Sequence, residues 1–227
     1  MLASLADANT SDRKEAMAAD RDLPGKSHLA KCFRACRPCF RKRSRRRTSS
    51  TRALPANAML HVANCVANAG RIESGDSYKF YAEGVTPAVA GLYEAINAER
   101  VAVAAALGAS VPSLADWFDR VYGVREATLV ETCQRLTYNS DGPYQATGTP
   151  KSLDHKFITE DVPTGLIPMS ALGVAAGVRT PAIDALVELV RNLTGKNFAA
   201  DARTLERLGL SGMDGPQIRR VVEQGFS

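Results

Sequence analysis

The sequence predicts an all-α protein: a multi-helix bundle over residues 56–227, behind a basic segment of residues 1–55 that builds no core. Three observations lead there. Threonine–proline pairs and glycines punctuate the later sequence at helix-sized intervals. The apolar residues between them recur at three- and four-residue spacings rather than alternating. No stretch shows the strand–helix–strand order of a βαβ unit.

The first segment is set apart by charge. Between Lys31 and Arg52 stand ten Lys or Arg residues and no Asp or Glu, so the formal net charge of +5 belongs to this stretch. The rest of the chain is mildly acidic, and nucleic acid is not expected as a partner of the folded part. KCFRACRPCFRKRSRRRTSSTR has too few large apolar side chains to offset the entropy of ordering it. A disordered tail is expected, or non-native sequence of the kind a shifted reading frame produces. The sharper readings are a phosphate-neutralising tail that binds nucleic acid, and zinc held by His28, Cys32, Cys36 and Cys39. That spacing matches no common zinc finger, so no metal is expected.

Other classes drop out early. Five cysteines are an odd number, and a chain of 227 residues does not need disulfides, so a reducing cytoplasm is the simpler setting. Asp7, Asp12, Glu15, Asp20 and Asp22 fill the region where a secretory signal would be apolar. The most apolar later helix carries Glu94, Glu99 and Arg100, which argues against a membrane span.

From Pro55 onward the elements follow in order. Thr86-Pro87, Thr149-Pro150 and Thr180-Pro181 each read as a helix start: threonine caps the free amides, and proline already holds a helical φ. Gly108, Gly177 and Gly195 read as stops. The clearest helix runs from Pro87 to Gly108, with Val89, Leu92, Tyr93 and Ile96 forming its buried stripe and many alanines allowing close approach. Shorter helices are predicted over Leu114–Val121, Glu126–Leu136, Pro168–Ala176, Pro181–Leu193 and Pro216–Glu223. No strand–GxGxxG–helix unit occurs, so no glycine loop is available to cradle a dinucleotide phosphate.

Two stretches carry candidate chemistry. His61, one of three histidines, lies in the helix-like NAMLHVANCVANAGRIE beside Asn57, Asn64 and Asn68. LDHKFITEDVPTGLIP places Glu160 and Asp161 before Val162-Pro163, a pair expected to force extended backbone and end any helix. A carboxylate there suits the proton of an imidazole, fixing its tautomer. The plainer reading is that Glu160 and Asp161 cap the next helix through Thr164, and that the asparagines are a polar helix face. Lys156, five residues before Asp161, is placed to pair with a substrate carboxylate.

These runs, with YKFYAEGVTPAVAGLYEAINAERVAVAAALG, MSALGVAAGV, TPAIDALVEL and RTLERLGL, together resemble the helical domain of the octopine and nopaline dehydrogenase family. The resemblance covers Asn57 to Leu210, with its motifs in the family's order. It implies an all-α bundle similar to the 6-phosphogluconate dehydrogenase C-terminal-like helical domain. It also implies the family's activity, in which an amino acid and a 2-oxo acid join through an imine that NADH or NADPH reduces. The family's N-x-x-x-H-P element lands on Asn57 and His61, its EDVP aspartate on Asp161, and its substrate-pairing arginine on Lys156. By resemblance His61 exchanges the substrate proton, Asp161 orients it, and Asn57 and Lys156 contact substrate.

Three departures qualify the transfer. Val62 stands where the family has proline, Lys156 where it has arginine, and the basic segment where it has a cofactor-binding Rossmann domain. The expectation is therefore a substrate domain that acts when a separate Rossmann chain supplies NAD or NADP. Self-association through the face such a domain would cover is also expected. The rivals are an inactive truncated remnant and a nucleic-acid-associated protein acting through its tail.

Overall fold

The structure, a computed structural model, describes residues 54–224, and every regular element among them is helical. The charged segment, with its nucleic-acid and zinc readings, lies outside the described residues apart from Leu54 and Pro55.

Nine α-helices lie among the described residues. They are α1 (Ala56–Ala67), α2 (Ala69–Glu73), α3 (Pro87–Ala106), α4 (Leu114–Tyr122), α5 (Leu129–Tyr138), α6 (Lys156–Thr159), α7 (Ile167–Ala175), α8 (Pro181–Thr194) and α9 (Gly215–Gln224). A π-helical turn, Val162–Leu166, joins α6 to α7, and a short 3₁₀ turn, Phe198–Ala200, follows α8. Helix α1 is the axis of the bundle. Ala58, Met59, Leu60, Val62 and Ala63 are fully buried, because α3, α6, α8 and the π turn all pack on it. A helix apolar on nearly every side has to be enclosed in this way. The phenol of Tyr93 on α3 donates to the Leu60 carbonyl at 2.9 Å and ties the two helices together.

The cap and stop signals explain most boundaries. Thr86 caps α3 by accepting from the Val89 amide at 3.4 Å. Gly108, Gly177 and Gly195 all hold positive φ just beyond α3, α7 and α8. Helix α5 starts at Leu129 rather than Glu126. Thr128 and Glu131 make a reciprocal capping box there, a threonine–x–x–glutamate signal present in the sequence.

Several expectations need correcting. No helix follows Thr149-Pro150; the Thr149 hydroxyl accepts from the Tyr78 amide and donates to the Tyr78 carbonyl, both at 2.9 Å. Thr180 precedes α8, but its hydroxyl turns to Asp184. The first-turn amides of Ala182 and Ile183 instead donate to Glu99 on α3, at 2.7 and 2.9 Å. In α3 itself Val89, Tyr93 and Ile96 are buried and Leu92 is half-buried, but Ala95, Ala98, Ala102, Ala105 and Ala106 face solvent. Those alanines serve helix propensity, while Ala90 and Ala104 are buried in the core, where their small size permits close approach.

Val162-Pro163 does not break the helix. Glu160 and Asp161 keep right-handed helical dihedrals, and the chain widens into the π turn before entering α7. The wider turn accommodates Pro163, which has no amide to donate.

Arg100 on α3 is 2% exposed and is solvated by carbonyls. Its guanidinium donates to Leu54 and Pro112 carbonyls and to the Asn97 side chain. Burial lowers its pKa to about 10. It clamps the entry to α1 against the α3–α4 loop.

Candidate active site

Helix α1 presents His61 from its middle, through an unbroken run in which buried Val62 keeps the amide a proline would lack. Its Nδ1 lies 2.6 Å from Asp161 Oδ2, and the two side chains are 17% and 22% exposed. A carboxylate only accepts, so Nδ1 carries the proton, and in the neutral ring Nε2 holds the lone pair. Asp161 therefore does not cap the following helix. The Thr164 hydroxyl donates back to the Glu160 carbonyl at 2.7 Å, and no side chain caps the turn.

The helical path from α6 into the π turn decides what else meets the imidazole. Phe157 and Asp161 are four residues apart and share a face. Phe157 stacks on the His61 ring, with centroids 4.0 Å apart and planes 17° apart. Lys156 is five residues from Asp161, roughly 140° around the axis at 3.6 residues per turn. It is exposed, and no carboxylate pairs with it among the described residues. Asn57 is half-buried one turn before His61, and its side chain makes no hydrogen bond to the described residues.

An aromatic wall, not among the residues predicted from the sequence, closes the site. Tyr81 lies beside His61, with centroids 6.2 Å apart, and stacks on Tyr144 at 4.0 Å. Phe80 packs on both Tyr81 and Phe157. The signal was present, since YKFYAEG puts three aromatics within four residues. Asn64 and Asn68 hold that loop in place. Asn64 Nδ2 donates to the Phe80 carbonyl at 2.8 Å, and Asn68 Nδ2 to the Gly84 carbonyl at 3.0 Å. These two are buried fasteners, not a solvated polar face. A side chain on Gly84 would lie 2.7 Å from Asn64 Oδ1, so only glycine fits there.

Electrostatics narrows the chemistry. Burial pushes the Tyr81 phenol well above its ordinary range, with nearby Tyr122, Cys133 and Asp161 adding to the effect. Burial, then the Asp161 charge, pushes the Cys65 thiol up to about 12. Neither serves as a base near neutrality, which leaves imidazole as the suitable side chain. His155 is a second imidazole close by, edge-on to Phe157 with centroids 4.5 Å apart. Its Nδ1 accepts from the Phe157 amide at 3.3 Å and so caps α6. Burial first, then Lys156 and His61, lower its pKa.

Among the described residues no three His, Cys, Asp or Glu side chains converge as a metal site. No helix among them is long and apolar enough to cross a membrane. They also offer no strand and glycine loop to hold a dinucleotide.

The described residues form an all-helical body in which an imidazole and a carboxylate from distant segments meet beside an aromatic wall. The sequence profile described as NAD/NADP octopine/nopaline dehydrogenase, alpha-helical domain, matches residues 48–194, and the chain belongs to that family. An opine dehydrogenase of Arthrobacter sp. (strain 1C) is 41% identical over 167 residues, which are 74% of this chain and 45% of that protein. A vitopine synthase of Allorhizobium ampelinum is 28% identical over 158 residues, 69% of this chain and 42% of its own. The chain thus spans less than half the length of these relatives. An octopine dehydrogenase solved with NADH and L-arginine superposes with a TM-score of 0.55 at 20% identity, over 75% of this chain and 48% of that one. Its complex with NADH and agmatine gives 0.56 at 21%, over the same shares. At that identity the likeness concerns the fold.

Proposed function

We propose that this domain is the substrate-binding half of an opine-forming dehydrogenase, which condenses an amino acid with a 2-oxo acid and reduces the resulting imine. The observation that carries the reading is the 2.6 Å contact between His61 and Asp161. With Nδ1 committed to Asp161, Nε2 is the nitrogen that exchanges a proton with the substrate amine or carbonyl oxygen. Asp161 orients the ring and fixes its tautomer. Asn57, one turn away, orients a polar group of the substrate. Lys156 pairs with a substrate carboxylate as a point charge, without the two-pronged grip of arginine.

Hydride delivery belongs to NAD or NADP held outside the described residues, on a Rossmann domain. The relatives support the substrate class: an opine dehydrogenase, a vitopine synthase and an octopine dehydrogenase solved with pyruvate or L-arginine. The bundle's kinship with the 6-phosphogluconate dehydrogenase C-terminal-like domain is part of the same proposal. So is self-association through the face a cofactor domain would cover; a monomer in sedimentation across a wide concentration range would count against it.

The test mixes the chain with NADH or NADPH, pyruvate and a panel of amino acids, with and without the cofactor-binding half of a relative. Cofactor oxidation that requires the added half and disappears in His61→Ala is expected. Absence of turnover in every combination would favour an inactive remnant.

A further inference from the structure

We propose that Gly165 is a positioning residue: its missing side chain lets the π turn seat against Ala58 of α1, and that seating sets the reach from Asp161 to His61. The catalytic consequence rests on the function proposed above; the geometric claim does not.

Gly165 has no conformational reason to be glycine. It is absent from the positive-φ residues and sits within a helical turn, where glycine costs about 1 kcal/mol relative to alanine. Space is the reason. A Cβ on Gly165 would fall under 3.0 Å from Ala58 Cβ, a separation that real Cβ atoms essentially never show. The next neighbours, Pro55 Cγ at 3.5 Å and Ala58 Cα at 3.9 Å, are ordinary contacts. The conflict is one methyl against one methyl.

The pairing is in register with the site. Ala58 and His61 are three residues apart on one face of α1, and Asp161 and Gly165 are four apart on the facing turn. Along α1 the order is Ala58 then His61, while along the turn Asp161 precedes Gly165. The two contacts therefore lie side by side across one antiparallel seam. Neither side yields easily: Ala58, Met59, Leu60 and Val62 are fully buried, as are Val162 and Leu166. An added methyl at position 165 wedges the seam open, and the 2.6 Å His61–Asp161 contact is the nearest thing to lengthen.

The experiment is a methyl swap. The His61 Nδ1–H resonance is followed by proton and nitrogen NMR in ¹⁵N-labelled full chain and assigned by its loss in His61→Gln. Gly165→Ala is expected to shift the resonance upfield or abolish it, and Ala58→Gly alone to leave it in place. The double variant Ala58→Gly/Gly165→Ala moves the methyl across the seam and is expected to restore it. With the cofactor half supplied, Gly165→Ala is expected to lower kcat by about a hundredfold with little change in KM, and the double variant to recover most of it. If Gly165→Ala folds and keeps the resonance, or if the double variant remains as disrupted as the single, the proposal is overturned. If Gly165→Ala does not fold, the double variant decides by whether fold and resonance return. Should the swap behave as expected while no variant, wild type included, turns over, the positioning stands and the dehydrogenase reading fails.

Discussion

His61 and Asp161 are a hundred residues apart in the chain and 2.6 Å apart in space, joined by a hydrogen bond from ring to carboxylate. Helix α1 supplies one partner, the residue just before the π turn the other, and Phe157 stacks on the imidazole from one turn before Asp161. The ring's orientation is thus fixed both by a hydrogen bond and by a stack.

Asp161→Asn removes the charge and permits the opposite tautomer while keeping the size. With the cofactor half supplied, kcat is expected to fall by about a hundredfold or more, with KM changing far less. Steady-state kinetics checks this, and urea unfolding confirms that the variant is folded.

Lys156→Ala removes an exposed cation with no ion-pair partner among the described residues. Stability is expected to change by less than about 0.5 kcal/mol, whereas KM for the carboxylate substrate rises about tenfold. An unchanged KM would remove Lys156 from the substrate site.

Glu99 holds two amides at the start of α8 from a different helix. Glu99→Ala is expected to cost about 2 kcal/mol, and Glu99→Gln about half of that, since the amide keeps one acceptor. Equilibrium unfolding in urea measures both.

His155 gives the stability a pH dependence. Its folded pKa lies below the ordinary 6.5, so near that pH the unfolded chain binds more protons than the native one. Its contribution is complete above about 6.5 and is lost as pH falls from there toward the folded value. His155→Asn keeps a capping acceptor without titrating. The stability of wild type relative to this variant is expected to be flat above neutrality and to decline on acidification.

Cys65 and Cys133 are fully buried, and burial pushes both thiols to about 12. In native protein at pH 8 neither is expected to react with iodoacetamide within hours, and both are expected to react in urea. Mass spectrometry of the labelled peptides reads each site separately.

The sequence alone determined the helical elements, because caps, glycine stops and three-to-four-residue periodicity are local. Thr86-Pro87, Gly108 and Gly195 could be read without knowing any neighbour. It also singled out His61 and Asp161, through motifs that resemble a family. Only the tertiary structure decided what lies between elements. Asn64 and Asn68 fasten a loop, Thr149 closes a contact rather than a helix, and Glu99 replaces Thr180 as the cap of α8. Val162-Pro163 continues as a π turn because α1 and the proline can both be accommodated in a widened helix, which no dipeptide rule anticipates. Each of these depends on groups distant in sequence competing for one hydrogen bond or one volume, and that competition is settled only when the bundle closes around α1.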